Sequence, residues 1–171
     1  MKIVLMGYMA SGKSTVGRLL ASKLDMPFID LDEYIEAFEK KAISAIFAEK
    51  GELYFRKLEH QMLGRALNEN DSLVLATGGG TPVYGNNIRT ILELSDHSVY
   101  LKWSIPELAK RIAGEKENRP LVRDLPLEDL PEFIGKHLFE RAPFYVQADH
   151  ILDCNGKDVE AVVSELEKLL L

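Results

Sequence analysis

The 171-residue chain has a single cysteine, Cys154. No intrachain disulfide can form, and a reducing compartment, the cytoplasm, is the expected location. An excess of positive charge is also missing: 21 Lys and Arg stand against 27 Asp and Glu, a formal net charge of −6. Without a broad cationic surface the chain is not built to wrap nucleic acid or coat an anionic membrane, although a few converging cations would still hold an anionic small molecule. No apolar run approaches the roughly 18 to 20 residues of a membrane span. The N-terminus runs from Lys2 straight into the strand-like Ile3–Met6, so neither a membrane partner nor a targeting segment is expected. Repeats and low-complexity tracts are absent. The four histidines, His60, His97, His137 and His150, are too scattered along the chain for a zinc site, and the one tryptophan, Trp103, reads as a packing residue.

With 46% hydrophobic residues the composition is that of an ordinary globular protein. A chain of this length buries about 70% of its unfolded surface, enough for one core and not two. One domain over residues 1–171, acting as a monomer, is the expectation. Short apolar runs at Ile3–Met6, Pro27–Ile29, Leu73–Ala76, Ser98–Leu101 and His150–Asp153 read as strands, and helical periodicity follows them. Helical sequence after Gly12 carries Val16, Leu19, Leu20 and Leu24, and helical, charge-rich sequence fills most of Tyr34–Asn70 with a break at Gly51. A polar helix lies near Asn87–Leu94, and a last helix carries the stripe Val159, Val162, Val163, Leu166, Leu169 and Leu170. Strands alternating with helices predict an α/β fold, a three-layer sandwich whose roughly five-stranded parallel sheet is covered on both faces. Such sheets bind ligands beyond the carboxyl ends of their strands. Glu115–Leu125, charged and without an apolar period, reads as a mobile loop.

Gly7-Tyr8-Met9-Ala10-Ser11-Gly12-Lys13-Ser14 matches G-x-x-x-x-G-K-[ST], between a strand and a helix as that motif requires. Gly7 and Gly12 allow the backbone turns that aim successive N–H groups, including those around Ala10 and Ser11, at phosphate oxygens. The helix N-terminus adds partial positive charge. Lys13 is expected to reach the β- and γ-phosphates, Ser14 to ligate Mg²⁺, and Thr15 to donate toward the α-phosphate. The third strand ends in glycines rather than the acid that usually completes such a metal site. Asp30 and Asp32, at the end of the second strand, are the available acids. Motors, GTPases and small-molecule kinases share this loop, so it names no reaction by itself.

Further motifs accompany the loop: "GYMASGKSTVGR" at 7–18, "FIDLDEYIE" at 28–36, "FRKLE" at 55–59, "GGGT" at 78–81, "RPL" at 119–121 and "ERAPFY" at 140–145. In order and spacing they resemble the shikimate kinases, small P-loop enzymes similar in architecture to nucleoside monophosphate kinases, with a mobile lid. The resemblance implies transfer of the γ-phosphoryl of ATP to the 3-hydroxyl of shikimate, with Mg²⁺ as cofactor. It places Arg56 and Arg141 on the substrate carboxylate, where guanidinium can bind bidentately. Asp32 becomes the group that orients the reacting hydroxyl and accepts its proton, and Asp30 a support for Mg²⁺. Phe47 and Phe55 would line the apolar side of the ring, and Gly78, Gly79 and Gly80 would let backbone N–H groups meet a ligand oxygen. The resemblance also implies an acceptor-binding segment at about 32–62 and a lid at about 115–125. Arg119 in that lid would close over the phosphates, Arg111 would stack on adenine, and the Asp153–Asn155 turn would flank the base. Arg123 reads as a solvated charge, and Asp32 would also cap a helix starting near Glu33. Another small-molecule kinase, such as a gluconate kinase, or a catalytically silent nucleotide-binding module are the alternatives. The first leaves the two arginines and the glycine triplet unexplained, and the second leaves Lys13, Ser14, Asp32 and Arg119 without a purpose.

Overall fold

A computed structural model describes all 171 residues. Five strands, β1 (Lys2–Met6), β2 (Phe28–Asp30), β3 (Leu73–Ala76), β4 (His97–Lys102) and β5 (His150–Asp153), form one sheet in the order β2-β3-β1-β4-β5. Every neighbouring pair is parallel. Every residue of β3 is buried, as are the last four of β1. Successive strand residues point to opposite faces, so both faces are covered, and the continuous apolar runs of these strands follow from that.

The connecting helices are α1 (Lys13–Lys23), α2 (Leu31–Glu39), α3 (Ile43–Glu69), α4 (Asn87–Leu94), α5 (Ile105–Glu115), α6 (Leu130–Tyr145) and α7 (Val159–Leu170). The chain leaves β1 toward β2 and leaves β3 toward β4, on opposite sides of the sheet. The two loops at this point of reversal, after β1 and after β3, therefore diverge and leave a crevice at the carboxyl edge. The glycine-rich loop 7–12 and the glycine triplet 78–80 are those two loops.

Three local features depart from the sequence expectation. The second helix begins at Leu31, and its cap is Asp30, which accepts from the Glu33 backbone N–H at 3.1 Å. Asp32 is therefore inside the first turn and is not the cap. Gly51 (φ 82°, ψ 171°), by contrast, breaks α3 as expected, and helix resumes on its far side. Two helices, α5 and α6, lie between β4 and β5, and the segment joining them, which includes the predicted loop 115–125, carries two 3₁₀ turns, Lys116–Asn118 and Leu127–Asp129. The lid has an apolar anchor after all, since Val122 is fully buried, while Arg123 is exposed as expected.

Candidate active site

The loop after β1 contains two left-handed residues. Gly12 (φ 85°) and Ala10 (φ 62°) adopt left-handed conformations, which turn N–H groups inward. At Gly7 a β-carbon would lie 2.9 Å from the Leu101 carbonyl oxygen, too close for any side chain. Lys13 Nζ donates to the carbonyls of Gly7 (2.7 Å) and Tyr8 (3.0 Å) and to Ser11 Oγ (3.3 Å). Burial pushes its pKa down to about 8, against the pull of the Asp32 carboxylate. A cavity of about 340 Å³ opens over this loop, lined among others by Lys13, Ser14, Thr15, Asp32, Arg111 and Arg119.

Ser14 Oγ donates to Asp30 Oδ2 while Asp30 Oδ1 caps α2. One carboxylate thus ties the start of α1 to the start of α2, with its hard oxygens beside the phosphate cavity. This donor set fits Mg²⁺, which takes one or two protein oxygens and completes its shell with water and phosphate.

A second cavity, of about 1110 Å³, adjoins the first and shares Asp32 with it. Phe47, Arg56, Tyr84, His137 and Arg141 also line it. The glycine triplet explains how so many charged groups converge. A β-carbon on Gly78 would stand 3.2 Å from Asp32 Oδ1, one on Gly79 3.1 Å from Arg141 Nη1, and one on Gly80 3.1 Å from Arg56 Nη1 and Nη2. None of the three has positive φ. Their lack of side chains leaves room for these three charged groups.

Arg56 is stacked on Tyr84, its guanidinium carbon 3.8 Å from the ring centroid, and Nη1 donates to Glu59 Oε1 at 2.9 Å. Its Nε is buried without a hydrogen-bond partner. Asp32 is held up at about pKa 6 by burial, by Asp30 and by Glu59, partly offset by Lys13. That value suits a group taking a hydroxyl proton near neutral pH. Phe47 reaches the cavity. Phe55 is 3% exposed and packs against Phe47, ring centroids 4.6 Å apart, with the Arg56 guanidinium carbon 5.1 Å from its ring, and Tyr84 and Phe133 add further aromatic wall.

On the lid side, Arg119 lines the phosphate cavity and pairs with Glu115, Nη2 to Oε2 2.6 Å. Arg111 is stacked on Trp103 (4.3 Å) and donates to the Ala10 carbonyl at 2.6 Å, while Trp103 Nε1 donates to the Ser11 carbonyl at 3.0 Å. Trp103 is therefore a clamp on the phosphate loop as well as a packing residue, and Arg111 is turned toward the loop. The Asp153–Asn155 turn is tied to the start of α5, Asn155 Oδ1 accepting from the Ser104 N–H at 2.9 Å. His97 and His150 are brought together, Nδ1 to Nε2 3.2 Å, but no group of three or more metal-binding side chains exists anywhere in the chain. Sequence reasoning missed Tyr84, Trp103, Thr81 and the buried role of Glu59, because each depends on a tertiary contact with no local signature.

A family model described as shikimate kinase matches residues 9–170. A shikimate kinase of Flavobacterium psychrophilum is 41% identical over 169 residues, 99% of this chain and 98% of the relative. One from Parabacteroides distasonis is 40% identical over 170 residues, 99% and 97% of the two chains. Among solved structures, the shikimate kinase of Bacteroides thetaiotaomicron superposes with a TM-score of 0.92 at 37% identity, covering 99% of this chain and 98% of the other. That of Acinetobacter baumannii, in complex with shikimate, gives 0.87 at 32% identity, covering 99% and 92%.

Proposed function

The chain belongs to the shikimate kinase family, and from that premise we propose how its residues move the γ-phosphoryl of ATP to the 3-hydroxyl of shikimate, giving shikimate 3-phosphate and ADP. The smaller cavity receives the ATP phosphates, and the larger one the carboxylated ring. Lys13 neutralises the β- and γ-phosphates, the loop N–H groups at Ala10, Ser11 and Gly12 cradle them, and Thr15 donates toward the α-phosphate. Arg111, held by Trp103, stands at the nucleotide end. Ser14 and Asp30 would hold Mg²⁺, which supplies charge neutralisation across the β- and γ-phosphates.

Arg56 and Arg141 grip the substrate carboxylate and so fix which hydroxyl faces the phosphate. Asp32, which lines both cavities, accepts a hydrogen bond from that hydroxyl and takes its proton as the P–O bond forms. Phosphoryl transfer has a loose transition state, so alignment contributes more than prior deprotonation. Arg119 places positive charge where the leaving oxygen develops its negative charge, and its lid excludes the water that would otherwise compete as acceptor.

The observation that carries this assignment is the convergence of Asp32, Arg141 and Arg56 over consecutive glycines at the mouth of a phosphate loop. The reading extends to a monomeric, single-domain cytoplasmic enzyme acting on small molecules. In its support, no helix is long and apolar enough to cross a membrane, and the lone Cys154 is buried. The test is coupled ADP release with shikimate, quinate, gluconate and nucleoside monophosphates as acceptors. Shikimate is expected to give ADP far above the ATP-only blank, and no release with shikimate would defeat the assignment.

A further inference from the structure

His137, Arg141 and Tyr145 fall on one face of α6, four residues apart, and the outer two tie that face to the loops at the carboxyl edge. The Tyr145 hydroxyl donates to the Gly79 carbonyl in the glycine triplet. The Tyr8 hydroxyl, in the phosphate loop, lies 2.9 Å from His137 Nδ1, and the two rings meet edge to face at 86° with centroids 5.3 Å apart. Arg141 stands midway between these ties, over Gly79, and both it and His137 line the acceptor cavity. The helix that carries one of the two carboxylate-binding arginines is thus pinned on both sides of it.

The direction of the Tyr8–His137 bond follows from proton inventory. Tyr8 is 1% exposed, burial pushes its phenol well above the ordinary range, and His137 Nδ1 is the one hydrogen-bond partner of its hydroxyl, so the buried O–H proton is satisfied only when Tyr8 donates. Nδ1 of His137 must then be the bare acceptor of a neutral imidazole. Burial and the neighbouring Arg141 both lower the His137 pKa, with Glu140 opposing. The other charged groups around the same cavity are Lys136 on α6, Asp32 and Glu36 on α2, and Glu52 and Arg56 on α3, with Arg119 of the lid acting on Tyr8. Phe133, edge-on to the imidazole with centroids 5.6 Å apart, covers another side of the ring.

We infer that neutral His137 is a positioning residue for the acceptor: by accepting the Tyr8 hydroxyl it locks Arg141 in register with the phosphate loop, and protonation of Nδ1 releases that lock. The inference rests on the reading of Arg141 as a carboxylate ligand. A protonated Nδ1 can only donate to the phenol oxygen, which turns the bond round and leaves the buried Tyr8 proton without an acceptor, and it sets a second cation one turn from Arg141. The consequence is a loss of acceptor affinity on the acid side of neutrality that leaves nucleotide binding untouched.

The experiment is steady-state kinetics from pH 5.5 to 8 for the wild type, Tyr8→Phe, His137→Leu, their double variant, and His137→Asn, whose amide oxygen can accept near the Nδ1 position without titrating. The wild-type KM for shikimate is expected to rise about three- to tenfold on the acid side, the range expected for one hydrogen bond. His137→Asn should keep the neutral-pH KM and lose that rise. Tyr8→Phe and His137→Leu should each raise the KM for shikimate at pH 7.5 by a similar factor, the double variant by no more, with the KM for ATP unchanged. Titration of Asp32, which also lines the acceptor cavity, enters every variant alike, so the wild-type rise is read as the ratio of its KM to that of His137→Asn at each pH. An acid rise that survives in His137→Asn, a shikimate KM that falls on acidification, or a Tyr8→Phe enzyme with wild-type KM overturns the positioning role. Absence of any wild-type turnover of shikimate overturns instead the functional reading on which it stands.

Discussion

Glu59 accepts the Arg56 guanidinium at 2.9 Å with one carboxylate oxygen and the Thr81 hydroxyl at 2.9 Å with the other, while itself only 1% exposed. The pair lies three residues apart on α3 and so has the spacing of a surface ion pair worth a few tenths of a kcal/mol. Burial changes its weight. Thr81 follows directly on the glycine triplet, so Glu59 fixes the guanidinium relative to that turn.

Replacement of Glu59 by Gln keeps an acceptor for Thr81 but removes the charge that holds Arg56. The KM for shikimate is expected to rise about tenfold with the KM for ATP within twofold, as for loss of one charge-assisted hydrogen bond. Glu59→Ala leaves Arg56 without its buried partner and should cost about 3 kcal/mol of stability as well, measured by urea denaturation.

The glycine triplet gives a sharper spatial test. Gly79→Ala and Gly80→Ala each put a methyl group 3.1 Å from an arginine nitrogen, displacing Arg141 and Arg56 respectively. Both should raise the KM for shikimate at least tenfold without loss of fold. Gly114, in α5, has nothing within 4 Å of its β-carbon position; Gly114→Ala should leave kinetics unchanged and stabilise by about 0.5–1 kcal/mol. Equal kinetic damage from all three would contradict the spatial argument.

Asp32 links activity to stability through one titration. Its pKa in the fold, about 6, stands above the ordinary 3.8, so the ionised form is penalised by folding. That penalty is fully present above pH 6 and disappears as the pH falls from about 6 to 4. Asp32→Asn should therefore raise stability by about 3 kcal/mol at pH 8, with the gain gone near pH 4, while turnover is lost. In the wild type kcat should fall below pH 6 as the base becomes protonated. A kcat profile flat to pH 5 would remove Asp32 from the proton transfer.

The phosphate loop was legible in the sequence because its conformation imposes residue types at fixed spacing: left-handed turns select glycine, and the phosphates select Lys13 and Ser14. Five strands and most helices were legible from apolar periodicity. The acceptor pocket was not, since Arg56 and Arg141 come from opposite halves of the chain and neither has a local signature. Only the resemblance of the motifs singled them out. Asp30 and Asp32 both precede a helix in sequence, and only the backbone turn at Asp30 decides which one caps it. Helix α6 went unmarked because it has a proline near each end, Pro131 and Pro143, which break an otherwise readable pattern.

The most direct test is calorimetric titration of shikimate and of a non-hydrolysable ATP analogue, each alone, into the wild type, Arg56→Ala and Arg141→Ala. Two guanidinium groups folded over one glycine turn predict that either variant loses shikimate affinity by about a hundredfold, the weight of a charged, bidentate contact, and binds the analogue within twofold of wild type. Parallel loss of both ligands, or shikimate affinity that survives removal of either arginine, would contradict a single anion-binding pocket facing the terminal phosphate.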